Sequence, residues 1–142
     1  MSIGLDTNIL ARYYIEDAGD AEAQKQRERA RQLVESGQSL VVAKTVLLEF
    51  EWVMRGYYQF SAAQVAQVVQ HLMTLPHVLI EDRPAIETAI ALMAADNNAL
   101  DFADALHHAS YRECEAMATF DDRRFARRAQ RLGLVPRVIV PR

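Results

Sequence analysis

Four acidic residues far apart in the chain, Asp6, Glu49, Asp104 and Asp121, sit in settings that can deliver carboxylates to one end of a parallel sheet. Asp6 follows the apolar N-terminal run in Leu5-Asp6-Thr7-Asn8, and Asp121 follows another in Thr119-Phe120-Asp121. Open α/β sheets bind ligands beyond the carboxyl ends of their strands, where the strand order reverses. Gathered carboxylates repel one another, so such a cluster persists around cations or with raised pKa values. An all-oxygen set with no Cys and no obligatory His suits Mg²⁺ or Mn²⁺ rather than Zn²⁺. The chemistry it serves best is metal-assisted hydrolysis of a phosphodiester by one or two ions.

Each carboxylate also has a purely structural reading. Asp6 can cap the helix that follows it or close an Asx-turn, with Thr7 and Asn8 holding its orientation if it is a ligand. Glu49 lies at the margin of an apolar stripe, where an acid is commonly a solvated edge residue, but it is six residues beyond Ala43 and within reach of the sheet end. Asp101 and Asp104 share one side of a helix. Asp101 is its natural N-cap, and Asp104 the better ligand. His107 and His108 read as partners in surface salt bridges. Asp122 is placed to cap the helix after Asp121, and Thr119 to hydrogen-bond a carboxylate or a water. Glu51 projects to another side of its helix and reads as solvent-facing.

These residues need elements to carry them. Short apolar runs at Ser2 to Leu5, Leu40 to Ala43, Val78 to Glu81, Ala116 to Thr119 and Val138 to Val140 read as strands covered on both faces. Longer helical segments alternate with them. That order predicts an α/β fold: a three-layer α/β/α sandwich on a mostly parallel sheet of about five strands. Helices are expected from Ala21 to Glu35 after an Asp20 cap, and from Ser61, a capping box with Gln64, to about Thr74. Others run from Pro84 to about Asp96, from Asp101 to Glu113, and from Asp122 to Arg131 before Gly133. Between Val46 and Tyr57, an apolar stripe of Val46, Phe50, Val53, Met54 and Tyr57 favours packing for Tyr57 over the base stacking that Tyr57 and Tyr58 could offer. Arg123, Arg124, Arg127 and Arg128, with Arg131, make an arginine-rich segment: either solvated surface or a phosphate contact beside the carboxylates.

With 142 residues, residues 1–142 are expected to form one domain with a real core. A net charge of −3 argues against coating nucleic acid by bulk electrostatics, though not against a local basic patch. Cys114 is the single cysteine, so no intramolecular disulfide can form, as suits a reducing compartment. No run approaches the roughly 20 apolar residues that span a bilayer, and no secretory signal opens the chain. A cytoplasmic protein with no membrane association is expected.

Together, four blocks resemble the PIN-domain nucleases, in particular the small VapC-type toxin ribonucleases. They are Leu5-Asp6-Thr7-Asn8-Ile9-Leu10, Thr45 to Met54 around Glu49, Asp101-Phe102-Ala103-Asp104-Ala105-Leu106, and Thr119-Phe120-Asp121-Asp122. The resemblance implies a metal-dependent endoribonuclease with Asp6, Glu49, Asp104 and Asp121 as its acidic quartet. It further implies Asn8 and Thr119 as supporting residues, a homodimer, and a cognate antitoxin that blocks the site. Two readings compete with it: a non-catalytic PIN-like RNA-binding or scaffold protein, and a structure-specific DNA nuclease. A receiver domain fits poorly, because only one Asp follows the first strand and no lysine follows the last. A haloacid-dehalogenase-like phosphatase needs Asp-x-Asp where this chain has Asp6-Thr7-Asn8.

Overall fold

Parallel strands cannot be joined by tight turns, and helices make every crossover between the strands of this chain. The computed structural model describes residues 1–95 and 100–142, which form two compact units, Met1–Glu81 and Asp82–Arg142. In the first unit β1 (Ile3–Leu5), β2 (Leu40–Val42) and β3 (Val78–Ile80) form a parallel sheet in the order β1-β2-β3. Leu5 pairs with Val42 and Val42 with Ile80, so the strands end level with one another. Helices α1 (Thr7–Tyr14) and α2 (Ala21–Val34) make the first crossover, and α3 (Lys44–Gly56) and α4 (Ala62–Thr74) the second. The fold class is α/β with parallel strands, as the sequence predicts.

Local chemistry sets the helix ends. The Asp20 carboxylate accepts from the N–H groups of Glu22 and Ala23 at 2.9 and 3.2 Å, and Gly37 takes a left-handed φ of 81° after α2. Ser61 and Gln64 complete the reciprocal capping box that opens α4. The start of α3 is capped from a distance. Its N-cap position is Ala43, which has no polar side chain, and Glu81 at the end of β3 accepts from the Lys44 N–H at 2.8 Å. A carboxylate is favoured there by the helix dipole.

The buried face of α3 differs from the expected stripe. Leu47, Phe50, Glu51 and Met54 are buried, whereas Tyr57 is 77% exposed. The helix is rotated so that Leu47 and Glu51 share the inward side with Phe50 and Met54. Glu51 is therefore not solvent-facing; it is buried and ion-paired with Arg55 at 3.8 Å. Tyr57 stands outside the core because α3 ends at Gly56 and Tyr57 is its C-cap. The strands are also less evenly covered than expected: Val78 and Ile80 are buried, but Leu79 between them is 64% exposed.

In the second unit α5 (Arg83–Ala94) packs on α6 (Phe102–Ser110) through Ile86, Ala89, Ile90, Met93, Phe102, Ala105, Leu106 and Ala109, all buried. Pro84 lies in the first turn of α5, where its missing N–H costs no helical bond. The expected end of this helix near Asp96 lies outside the described residues. The helix expected from Asp101 to Glu113 is shorter, ending at Ser110 before a turn. Strands β4 (Ala116–Ala118) and β5 (Arg137–Ile139) pair in parallel, joined by a π-helical turn, Asp122–Ala126, and α7 (Arg127–Arg131). His108 is buried, with Nε2 2.7 Å from the Pro136 carbonyl oxygen. It anchors the β4–β5 connection and takes no part in a surface salt bridge, contrary to expectation. His107 is exposed.

Candidate active site

In the first unit the chain turns from β1 into α1 at Asp6, whose extended backbone makes it the N-cap. Its Oδ1 accepts from the Thr7 N–H at 2.8 Å, which orients the carboxylate and leaves it exposed. Glu49 is exposed on α3, one helical turn before Val53 and two before Tyr57. Asn8, Ala11 and Arg12 form the matching face of α1. These two faces wall one cavity of about 310 Å³, lined by Asp6, Thr7, Asn8, Ala11, Arg12, Glu49, Val53, Tyr57 and Tyr58. Asp6 and Glu49 are thus brought together, with Thr7 and Asn8 beside them.

Thr7 is buried, and among the described residues its Oγ1 has no hydrogen-bond partner. A buried hydroxyl without a partner is costly, and such groups concentrate at functional positions. Its place next to Asp6 fits a polar or charged group held at that carboxylate. The donors along the cavity are carboxylate and amide oxygens, which suit a hard divalent cation.

In the second unit the charges of Asp101 and Asp121 both act on Asp104. Asp101 occupies the N-cap position of α6 but makes no capping hydrogen bond, so the capping role expected of its side chain is not made. Asp104 lies one turn on, half-buried. Burial, then the charges of Asp101 and Asp121, push its pKa above the ordinary carboxylate value, against the opposing pull of His107 and Arg128. Asp121 follows β4 as expected. Its N–H donates to Thr119 Oγ1 at 3.0 Å, and its Oδ1 accepts from the Arg124 N–H at 3.0 Å.

Asp121, and not Asp122, is therefore the cap of the last helical segment. The reason lies in the π-turn. A π-turn bonds residues five apart, here the Arg127 N–H to the Asp122 carbonyl. The same spacing brings the side chains of Asp122 and Arg127 within 3.0 Å. Of the arginine segment, Arg123, Arg124 and Arg127 are exposed and Arg128 is half-buried toward Asp104.

Among the described residues no group of three or more His, Cys, Asp or Glu side chains stands close enough to hold a metal ion. Each unit instead contributes acids of its own: Asp6 and Glu49 in the first, Asp101, Asp104 and Asp121 in the second. The sequence reading passed over Arg12 and assigned Tyr57 to the core. Both were open to detection, since Arg12 is four residues from Asn8 and Tyr57 eight from Glu49, each on one helix face.

No helix among the described residues is long and apolar enough to cross a membrane. Comparison with curated proteins finds no match. The family model for the PIN domain matches residues 3–131, a stretch that contains all four acidic blocks and runs through both units. PIN domains are in general metal-dependent nucleases. With its parallel α/β architecture and its carboxylates at the ends of strands and the starts of helices, this chain belongs to the PIN domain family.

Proposed function

We propose that this protein is a metal-dependent endoribonuclease, the toxin of a type II toxin–antitoxin pair, with Asp6, Glu49, Asp104 and Asp121 as its catalytic acids within a single functional domain, residues 1–142. The observation that carries the reading is the pairing of Asp6 with Glu49 in one cavity beside the unpartnered Thr7 hydroxyl. The charges of Asp101 and Asp121 acting on Asp104 support it, because a cation would relieve that repulsion. The toxin assignment, the preference for RNA, the antitoxin partner and the homodimer rest on the motif blocks that resemble VapC-type ribonucleases.

In this reading Asp6, Glu49, Asp104 and Asp121 would hold Mg²⁺ or Mn²⁺, one or two ions. The ion when bound lowers the pKa of the attacking water and offsets charge at the phosphate. The chain's own residues do the positioning. The Thr7 N–H and the Thr119 hydroxyl set the direction of Asp6 and the backbone of Asp121. Arg123, Arg124, Arg127 and Arg128 supply cations to hold the substrate phosphates. No covalent intermediate with the protein is required.

The test is cleavage of a mixed small-RNA pool by purified protein with Mg²⁺ or Mn²⁺, alongside EDTA and Asp6→Ala controls. Discrete products that vanish in both controls are expected. Full activity in folded Asp6→Ala protein would overturn the assignment. The competing reading is a PIN-like RNA-binding protein without turnover. Metal-independent RNA binding with no cleavage by antitoxin-free protein would select it.

A further inference from the structure

The cavity that holds Asp6 and Glu49 has a third kind of wall, which the carboxylate chemistry does not use. Tyr57 and Tyr58 line it at the end of α3, and Tyr57 is 77% exposed. Their rings meet edge to face with centroids 4.8 Å apart. Tyr58 continues toward Phe60 at 6.5 Å, which backs the pair. The segment carrying the rings is held by its backbone. The N–H groups of Tyr57 and Tyr58 both donate to the Val53 carbonyl at 2.9 and 3.2 Å, and Phe60 N–H donates to Met54 at 2.9 Å. Gln59 adopts a left-handed φ of 58° to make this closure, a strained conformation for a residue with a side chain. An exposed aromatic ring thus stands on a backbone segment held by hydrogen bonds beside the cavity.

Three chemistries share its lining: the carboxylates of Asp6 and Glu49, Arg12 on the α1 wall, and the rings of Tyr57 and Tyr58. The Arg12 Nε donates to Gln26 Oε1 at 2.8 Å, which steers the guanidinium from α2. A sugar–phosphate with an unpaired base presents the matching groups: an anion for Arg12 and a flat π surface for Tyr57. A base inside a duplex is already stacked on both faces and cannot offer one.

We propose that this cavity is a single-nucleotide subsite in which Tyr57 stacks on one unpaired base flanking the scissile bond while Arg12 contacts its phosphate. This deepens the nuclease reading and rests on that cavity being part of its site. It makes Tyr57 a specificity-determining residue.

The test is equilibrium binding in EDTA of fluorescent single-stranded homopolymers of A, C, G and U, with a matched duplex, followed by cleavage with Mn²⁺. Tyr57→Ala and Tyr57→Leu should bind at least one single strand about tenfold more weakly, the scale of one lost base–aromatic stack. Tyr57→Phe and Tyr57→Trp should retain it, and duplex binding should not respond. In cleavage, Tyr57→Ala should raise KM with kcat close to wild type. Leucine keeps apolar volume without a π face, so wild-type binding by Tyr57→Leu overturns the stacking role. Wild-type binding by both variants, or no single-strand binding by the wild type, overturns the subsite and leaves the aromatic wall to a protein partner. Tyr57-dependent binding without any cleavage upholds the subsite while the nuclease reading fails.

Discussion

At the scale of single residues, Asp6 carries two functions that separate on substitution. It caps α1 through the Thr7 N–H and offers its carboxylate to the cavity. Asp6→Asn keeps an acceptor for the cap and loses the charge; Asp6→Ala loses both. Both variants should be inactive, but only alanine should also lose stability, by about 1 kcal/mol, in denaturant titrations. Asp104 makes a second prediction, with a sign fixed by its environment. Burial and the neighbouring acids raise its pKa in the folded protein. An acid raised in this way contributes stability that is complete below its unfolded-state pKa and is lost as pH rises through the folded-state value. Asp104→Asn cannot ionise, so the metal-free variant should melt higher than wild type at pH 7. That advantage should vanish below about pH 4, where Asp104 is protonated in both states. Added Mn²⁺ should stabilise wild type more than the variant, since a ligand stabilises the folded state it binds. Thermal melts at both pH values, with and without the ion, check each part.

At the scale of elements, α3 shows how one helix serves two surfaces. Leu47, Phe50 and Met54 fill the core, while Glu49, Val53 and Tyr57 face the cavity. Phe50→Ala should therefore cost about 3–5 kcal/mol by chemical denaturation, the range for a fully buried aromatic. Its effect on activity should only follow the loss of folded protein. The π-turn and α7 make the opposite case, since their exposed arginines contribute little to packing. Arg123→Ala and Arg124→Ala should leave the melting temperature nearly unchanged. Each should lower the slope of log affinity against log salt for single-stranded RNA by about 0.7, one released counterion. Arg127→Ala should do less, because its guanidinium is already engaged by Asp122 at 3.0 Å.

At the scale of the whole molecule, the proposed quartet is divided between the two units of the chain, Asp6 and Glu49 in one and Asp104 and Asp121 in the other. Residues that act as one catalytic group are strongly non-additive, because removing any member already removes most of the rate. If cleavage depends on all four acids, the double variant Asp6→Asn/Asp104→Asn should cleave no more slowly than the weaker single variant. Multiplying rate losses in a double-mutant cycle would show two independent contributions and sink the proposal that the four acids are interdependent.

The sequence by itself determined the elements and most of their ends, because those depend on neighbours a few residues away. Five short apolar runs became strands, Asp20 and Ser61 became caps, and Gly133 became a left-handed terminator at φ 67°. It also identified the acids that the structure places at strand ends and helix starts, since Asp6 and Asp121 are both caps. Direction around a helix was decided only by tertiary packing. In α3, apolar residues on adjacent arcs allow more than one inward face, and nothing local distinguishes Val46, Val53 and Tyr57 from Leu47 and Glu51. Packing chose the latter, burying an acid and exposing a tyrosine. His108 was hidden for the same reason: its partner, the Pro136 carbonyl, lies 28 residues away. Asp121 took the capping role expected of Asp122, in front of a π-turn whose wider spacing places the side chains of Asp122 and Arg127 together.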